Sequence, residues 1–214
     1  TFCNTILETA MAELREKIEQ KIERMGQGWA FSRKDISDIA PSGPVGVVLS
    51  RLVASGMIRR IGRGLYDYPR KSELVGELLP PDIDQAAQAI ARKHRWTITP
   101  DGATAANMLG LSQQVPAKIV YLSDGPSRQL KVGQQVISFR HASPKDLRME
   151  KYSSRLITQA LRFLGKDNID GKVLVKLRRM VPKQDRGDFL KDAQYGTDWV
   201  LQVAQKIARE DRNG

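Results

Sequence analysis

Cysteine and histidine are almost missing from this chain of 214 residues, which has one cysteine, Cys3, and two histidines, His94 and His141. A single cysteine excludes an internal disulfide framework and fits a reducing compartment. Neither histidine has a cysteine or carboxylate at ligand spacing, so both read as surface or half-buried residues and no metal site is expected. Asp82 and Asp84 form an Asp-x-Asp pair. Standing directly after Pro80 and Pro81, they read as a helix cap and a dipole partner rather than as ligands. There is no run of about 18 apolar residues and no signal-peptide pattern, which sets the expectation of a cytoplasmic protein without a membrane partner. The ten residues before Met11 match nothing that follows in style, and are expected to be an expression remnant or a readthrough of the start.

Catalytic signatures are lacking too. No nucleophile stands beside a histidine in a recognisable local pattern, and the small polar run from Gly102 to Thr104 lacks the lysine that a phosphate loop requires. The chain is therefore expected to be non-enzymatic, with no catalytic residue and no cofactor.

What is present is positive charge. The chain carries 35 lysines and arginines against 24 acids, a formal charge of +11 with a pI near 9.9. An anionic partner follows, nucleic acid ahead of membrane, because no stretch joins bulky apolar residues to a lysine-rich face. The excess is uneven: residues 1–70 hold 11 basic and 8 acidic side chains, residues 71–150 hold 10 and 8, and residues 151–214 hold 14 and 8.

Residues 29–69 are the most legible stretch. Before it, Leu7, Met11, Leu14, Ile18, Ile22 and Met25 recur at helical spacing and stop at Gly26, giving a scaffold helix. Trp29, Ala30 and Phe31 then form a short bulky wedge. Ser32 and Asp35 make a capping box for a short helix with Ile36 and Ile39 inside, ended by Pro41. Arg33 and Lys34, in its first turn, have two equal readings: phosphate contacts or solvated charges. A second helix is expected over residues 42–56, capped by Ser42 and closed by Gly56. Val45, Val48, Leu49, Leu52 and Val53 would face the core, leaving Gly46, Val47, Ser50, Arg51 and Ala54 outside. Short side chains with one arginine suit a helix that must approach base edges closely. Met57–Ile61 and Leu65–Tyr68 read as strands joined by Gly62, Arg63 and Gly64, a tight turn with a cation at its tip. Arg63 would meet a phosphate or the minor groove, and Arg59 or Arg60 the adjacent backbone. From Gly43 to Tyr66 there are four arginines and no acid. The expected double-stranded DNA contacts are thus Arg33, Lys34, Ser42, Gly46, Val47, Ser50, Arg51, Arg59, Arg60 and Arg63, in a winged helix-turn-helix.

Pro69 to Pro81 reads as a connection, placing a boundary after residue 70. A helix over 82–94 follows, with Ile83, Ala86, Ala87, Ile90 and Ala91 inside. Residues 96–140 then alternate strand, small-residue helix and three strands. From Pro144 on the pattern is helical, with Arg155, Arg162, Lys172, Lys176, Arg178 and Arg179 along it. Interleaved acids favour solvated faces there over a binding face for protein or RNA. The expected fold is α+β: a winged helix-turn-helix over 1–70, then a mixed α/β module with a helical C-terminal part over 71–214.

Within that module, Gly102-Ala103-Thr104-Ala105-Ala106-Asn107, Leu109-Gly110-Leu111, Gln114-Val115-Pro116-Ala117-Lys118 and Tyr121-Leu122-Ser123-Asp124-Gly125 follow a first segment ending in Gly64-Leu65-Tyr66. This succession resembles the AbiEi-type antitoxins of bacterial toxin–antitoxin systems, over about residues 11–146. The resemblance implies an N-terminal domain that binds operator DNA and represses its own operon, and a C-terminal domain that counteracts a cognate nucleotidyltransferase-like toxin. Two copies on an inverted repeat are the usual geometry for such a head. The rival reading is a DNA-binding regulator that senses a small ligand and has no toxin partner.

Overall fold

A computed structural model describes residues 2–209, with side chains from Glu8 onward. Cys3 and Leu7 therefore lie outside the described side chains. The chain is α+β and divides into two compact units. The first comprises the chain up to Trp96 together with Leu130–Val136, and the second comprises Thr97–Gln129 and the chain from Ile137 on. This division falls elsewhere than the expected boundary after residue 70, for a reason that emerges below.

In the first unit, α1 (Phe2–Met25) buries Ile18 and Ile22 completely, while Met25 at its end is exposed. Gly26, with φ +85°, turns the chain out of the helix in the left-handed conformation that glycine adopts without a Cβ clash. The aromatic wedge is a strand, β1 (Ala30–Ser32). It pairs antiparallel with β3 (Leu65–Asp67), which also pairs with β2 (Arg59–Gly62), in the order β1-β3-β2. Trp29 stacks on Phe31 at 4.5 Å and Phe31 on Tyr66 at 5.8 Å, so the rings that read as a wedge staple the sheet to the core.

The capping box at Ser32 forms as expected: Lys34 N donates to its hydroxyl, and Ser32 N donates to Asp35. What it starts is one 3-10 turn, Arg33–Ile36, in place of a longer helix. The second helix, α2 (Ser42–Ala54), is where the periodicity put it, but its cap differs. Pro41 occupies the cap position and no side chain caps the helix; Ser42 is the first helical residue. Proline needs no N–H there, so the helix begins one residue earlier than a serine cap would have it. Val45, Val48, Leu49 and Leu52 are buried against Ile18, Ile22, Phe31, Ile36, Ile58 and Tyr66. Each such aliphatic burial contributes about 1.5–3 kcal/mol.

Helix α3 (Ile83–His94) is capped by Asp82, whose carboxylate accepts from Gln85 N, as the sequence suggests. It packs on β1, β3 and the 3-10 turn, and its last turn explains why the compact unit extends to Trp96. Arg92 donates to Asp35 (2.6 Å) and to the Ala30 carbonyl (2.8 Å), Lys93 to the Arg63 carbonyl (3.2 Å), and Lys34 to the Lys93 carbonyl (3.2 Å). The edge of β2 is met by a later part of the chain: Gly133 N donates to the Ile61 carbonyl at 2.9 Å, and Val132 is buried.

The second unit contains β4 (Ile98–Pro100), α4 (Gly102–Met108) and β5 (Ile119–Ser123). β6 (Arg128–Val132) and β7 (Gln135–His141), whose adjoining ends over Leu130–Val136 count with the first unit, complete a sheet of order β4-β5-β7-β6, in which β5 runs antiparallel to β4 and parallel to β7. Helices α5 (Tyr152–Leu164), α6 (Gly171–Met180), α7 (Arg186–Ala193) and α8 (Asp198–Ala208) share a core with α4 around Ala105, Leu161, Leu177, Phe189 and Val200. The small-residue run has a packing cause: a Cβ on Gly102 would stand 2.7 Å from the Phe163 Cβ, so α4 and α5 approach as closely as glycine allows.

Arg155 departs from the expected solvated helix face. It is buried, donating to the carbonyls of Ile98 (3.2 Å), Met149 (2.5 Å) and Glu150 (2.8 Å). Burial pushes its pKa below the usual guanidinium value, yet an arginine remains charged at any physiological pH. Nearby, buried Asp192 accepts from Glu150 N and Lys151 N at the start of α5. Among the described residues no helix is long and apolar enough to cross a membrane.

Candidate nucleic-acid interface

Helix α2 turns its four large apolar residues inward, which leaves Gly46, Val47, Ser50 and Arg51 outside. With Gly43 and Arg33 they line one shallow hollow. Arg33 reaches it from the 3-10 turn, and its guanidinium lies across the helix where the absence of a side chain at Gly46 makes room. A Cβ at that position would touch Arg33 Nη1 at 3.4 Å. The hollow therefore has two exposed arginines, one hydroxyl, one half-exposed valine and no acid. It can hydrogen-bond to anionic or base-edge acceptors and make apolar contact with a methyl group. Upstream, Lys21 donates to Asp38 at 2.6 Å, and this hydrogen bond holds the Asp38 carboxyl below its usual pKa.

The ten expected contacts separate into groups. Arg33, Gly46, Val47, Ser50 and Arg51 are brought together. Ser42 is exposed at the start of α2 but does not line the hollow. Lys34 turns to the Lys93 carbonyl. Arg59 is spent on structure: it forms a two-pronged ion pair with buried Asp67 (2.6 and 3.1 Å) and donates to the Leu79 carbonyl (3.1 Å). Burying the Asp67 carboxylate requires a paired cation, which Arg59 provides from the neighbouring strand. Arg60 is exposed, and its Nε donates to the Gly62 carbonyl of its own strand at 3.4 Å.

Arg63 is exposed at the turn between β2 and β3. The two glycines that flank it have different causes. Gly64 has φ +66°, whereas at Gly62 a Cβ would stand 3.3 Å from the Lys131 carbonyl, a tight contact that glycine avoids. Lys93 holds the Arg63 carbonyl and thereby fixes the turn while leaving the guanidinium outside. Lys93 and Arg92 are positioning residues that the sequence did not reveal, whereas Asp35, expected as a cap, also accepts from Arg92. The one signal was the basic last turn of α3, Arg92, Lys93 and His94, which reads equally as helix-dipole compensation.

Among solved structures, the crystal structure of the RV2827C protein from Mycobacterium tuberculosis is similar at 12% sequence identity and a TM-score of 0.43, over 92% of this chain and 80% of that one. No curated protein matches the chain. A family model matches residues 17–189, which include the α2 hollow and run through α6 to the first half of α7. The chain belongs to DUF6088, a family of unknown function.

Proposed function

We propose that this protein is a cytoplasmic, non-enzymatic DNA-binding repressor that also serves as an antitoxin. In this reading the 3-10 turn and α2 are a helix-turn-helix, α2 enters the major groove, and the β2–β3 turn is a wing that carries Arg63 to a phosphate or the minor groove. The observation that carries it is the α2 hollow. Arg33, Ser50 and Arg51 gather around Gly46, and no acid interrupts the chain from Gly43 to Tyr66. An ordinary solvated helix face gains nothing from a glycine at its centre, whereas a helix that must lie close to base edges does.

The second half of the proposal rests on the resemblance of residues 11–146 to AbiEi-type antitoxins. The chain would repress its own operon, two copies on an inverted repeat, and counteract a cognate nucleotidyltransferase-like toxin through the residues behind the DNA-binding head. No cofactor takes part.

A gel-shift titration on DNA from upstream of its own gene tests the first half. Substituting Ser50 or Arg51 should change which sequences bind; a uniform loss across all sequences would mean that α2 does not read bases. Co-expression with a nucleotidyltransferase encoded beside it tests the second half, with rescue of growth expected. Growth arrest that the chain leaves untouched would remove the antitoxin role and leave the DNA-binding reading standing.

A further inference from the structure

In the first unit, the segment between β3 and α3 forms a small ribbon with an apolar tip. Its base is fastened by a bridge between Lys71 and Leu78, by Ser72 N to the Glu77 carbonyl at 2.8 Å and by Leu79 N to the Arg70 carbonyl at 2.8 Å. Gly76, with φ +70°, closes the turn, and its N–H donates to the Ser72 carbonyl at 2.9 Å. This frame holds Leu74 and Val75 in solvent, 95% and 69% exposed, between the exposed acids Glu73 and Glu77. Single exposed aliphatics are ordinary, but two adjacent ones raised on a hydrogen-bonded turn form a patch that water disfavours.

The same unit contains an open hollow of about 410 Å³ beside β2. Its apolar walls are Ile61, Leu78, Pro80, Pro81, Ile83 and Val132, and the exposed guanidinium of Arg60 stands among its lining residues. Arg60 makes no ion pair within 4 Å among the described residues, and neither do Glu73 and Glu77.

We infer that the tip of one copy docks in the hollow of a second copy, and the reverse, to form a two-fold dimer. Three features favour this occupant. The apolar knob and the apolar hollow match in chemistry. The charges match in sign, since Glu73 and Glu77 flank the knob and Arg60 stands at the hollow. Leu78 belongs to both the ribbon and the wall, so knob and hollow are neighbours on one surface. A two-fold axis through such a surface satisfies both contacts at once and closes the assembly. The bridged ribbon is already ordered, which lowers the conformational cost of docking. Arg60 is thereby a partner contact and not a phosphate contact. The inference does not rest on the DNA-binding reading.

Sedimentation of the full chain without DNA, over roughly two decades of micromolar concentration, reads the association directly. The wild type should shift from monomer to dimer, and Leu74→Asp with Val75→Asp should weaken association by about tenfold or more, as loss of a central apolar contact does. Because the tip is exposed in the monomer, circular dichroism should be unchanged, and so should the melting temperature at concentrations where both proteins are monomeric. Arg60→Glu should also weaken association, and combining it with Glu73→Arg and Glu77→Arg should restore it. A wild type that stays monomeric throughout, or a double variant that dimerises like wild type, would overturn the proposal.

Discussion

At the scale of single residues, the arginines of the first unit do different work although their sequence context is alike. Arg59 neutralises Asp67, which is 2% exposed, while Arg63 projects from a turn with its backbone held by Lys93. Arg59→Ala would leave a buried carboxylate without its cation. We expect a loss of about 2–3 kcal/mol in urea unfolding, at the low end for a broken buried pair because Arg59 is itself partly exposed. Arg63→Ala should leave stability unchanged within about 0.5 kcal/mol and lower the salt dependence of DNA affinity by about one unit of slope. An unchanged slope for Arg63→Ala would place the turn away from phosphates. The distinction between these arginines was not legible in sequence. It depends on strand register: Arg59 lies opposite Asp67, and no local pattern reveals which acid faces which base across a sheet.

At the scale of elements, two glycines in helices make opposite predictions. Gly46 lies in the middle of α2, where glycine costs about 0.5–1 kcal/mol relative to alanine. A Cβ there meets only the movable guanidinium of Arg33. Gly46→Ala should therefore stabilise the protein by that amount in thermal or urea unfolding and, on the proposed DNA-binding reading, weaken operator binding by standing the helix off the bases. Tighter or unchanged operator binding would count against α2 as the reading helix. Gly102 is the reverse case. Its Cβ would lie 2.7 Å from Phe163 Cβ and 3.1 Å from the Gln159 carbonyl, so Gly102→Ala should force α4 and α5 apart and cost about 1–3 kcal/mol. Urea unfolding would show it, and an unaffected midpoint would mean that the two helices separate easily. Helix existence and the inward faces of α2 and α3 were legible, because a 3.6-residue period is local information. The 3-10 turn, the proline-capped start of α2 and β1 were not. Each is decided by what the segment packs against: β1 is three residues long and exists because β3 supplies its partner.

At the scale of the whole molecule, the boundary of the first unit carries its own prediction. A fragment ending at residue 70 would lose α3, and with it the ties from Arg92 to Asp35 and Ala30 and from Lys93 to Arg63. We expect that fragment to melt without a cooperative transition in circular dichroism, and a fragment ending at residue 96 to regain one, at a melting temperature below the full chain because Val132 and the Gly133–Ile61 hydrogen bond are still missing. Equal melting of the two fragments would make α3 dispensable to the first unit. The sequence by itself determined the charge excess, the α+β alternation, the apolar faces of the helices and the acid-free stretch with its glycine-flanked arginine, because composition and periodicity are properties of neighbours along the chain. Only the tertiary structure decided that Arg33 joins the α2 hollow, that Arg59 pairs with Asp67, that Arg155 is buried, and that residues 83–96 and 130–136 complete the first unit. Those outcomes depend on contacts between residues tens of positions apart, where geometry alone brings one partner within hydrogen-bond reach and leaves another in water.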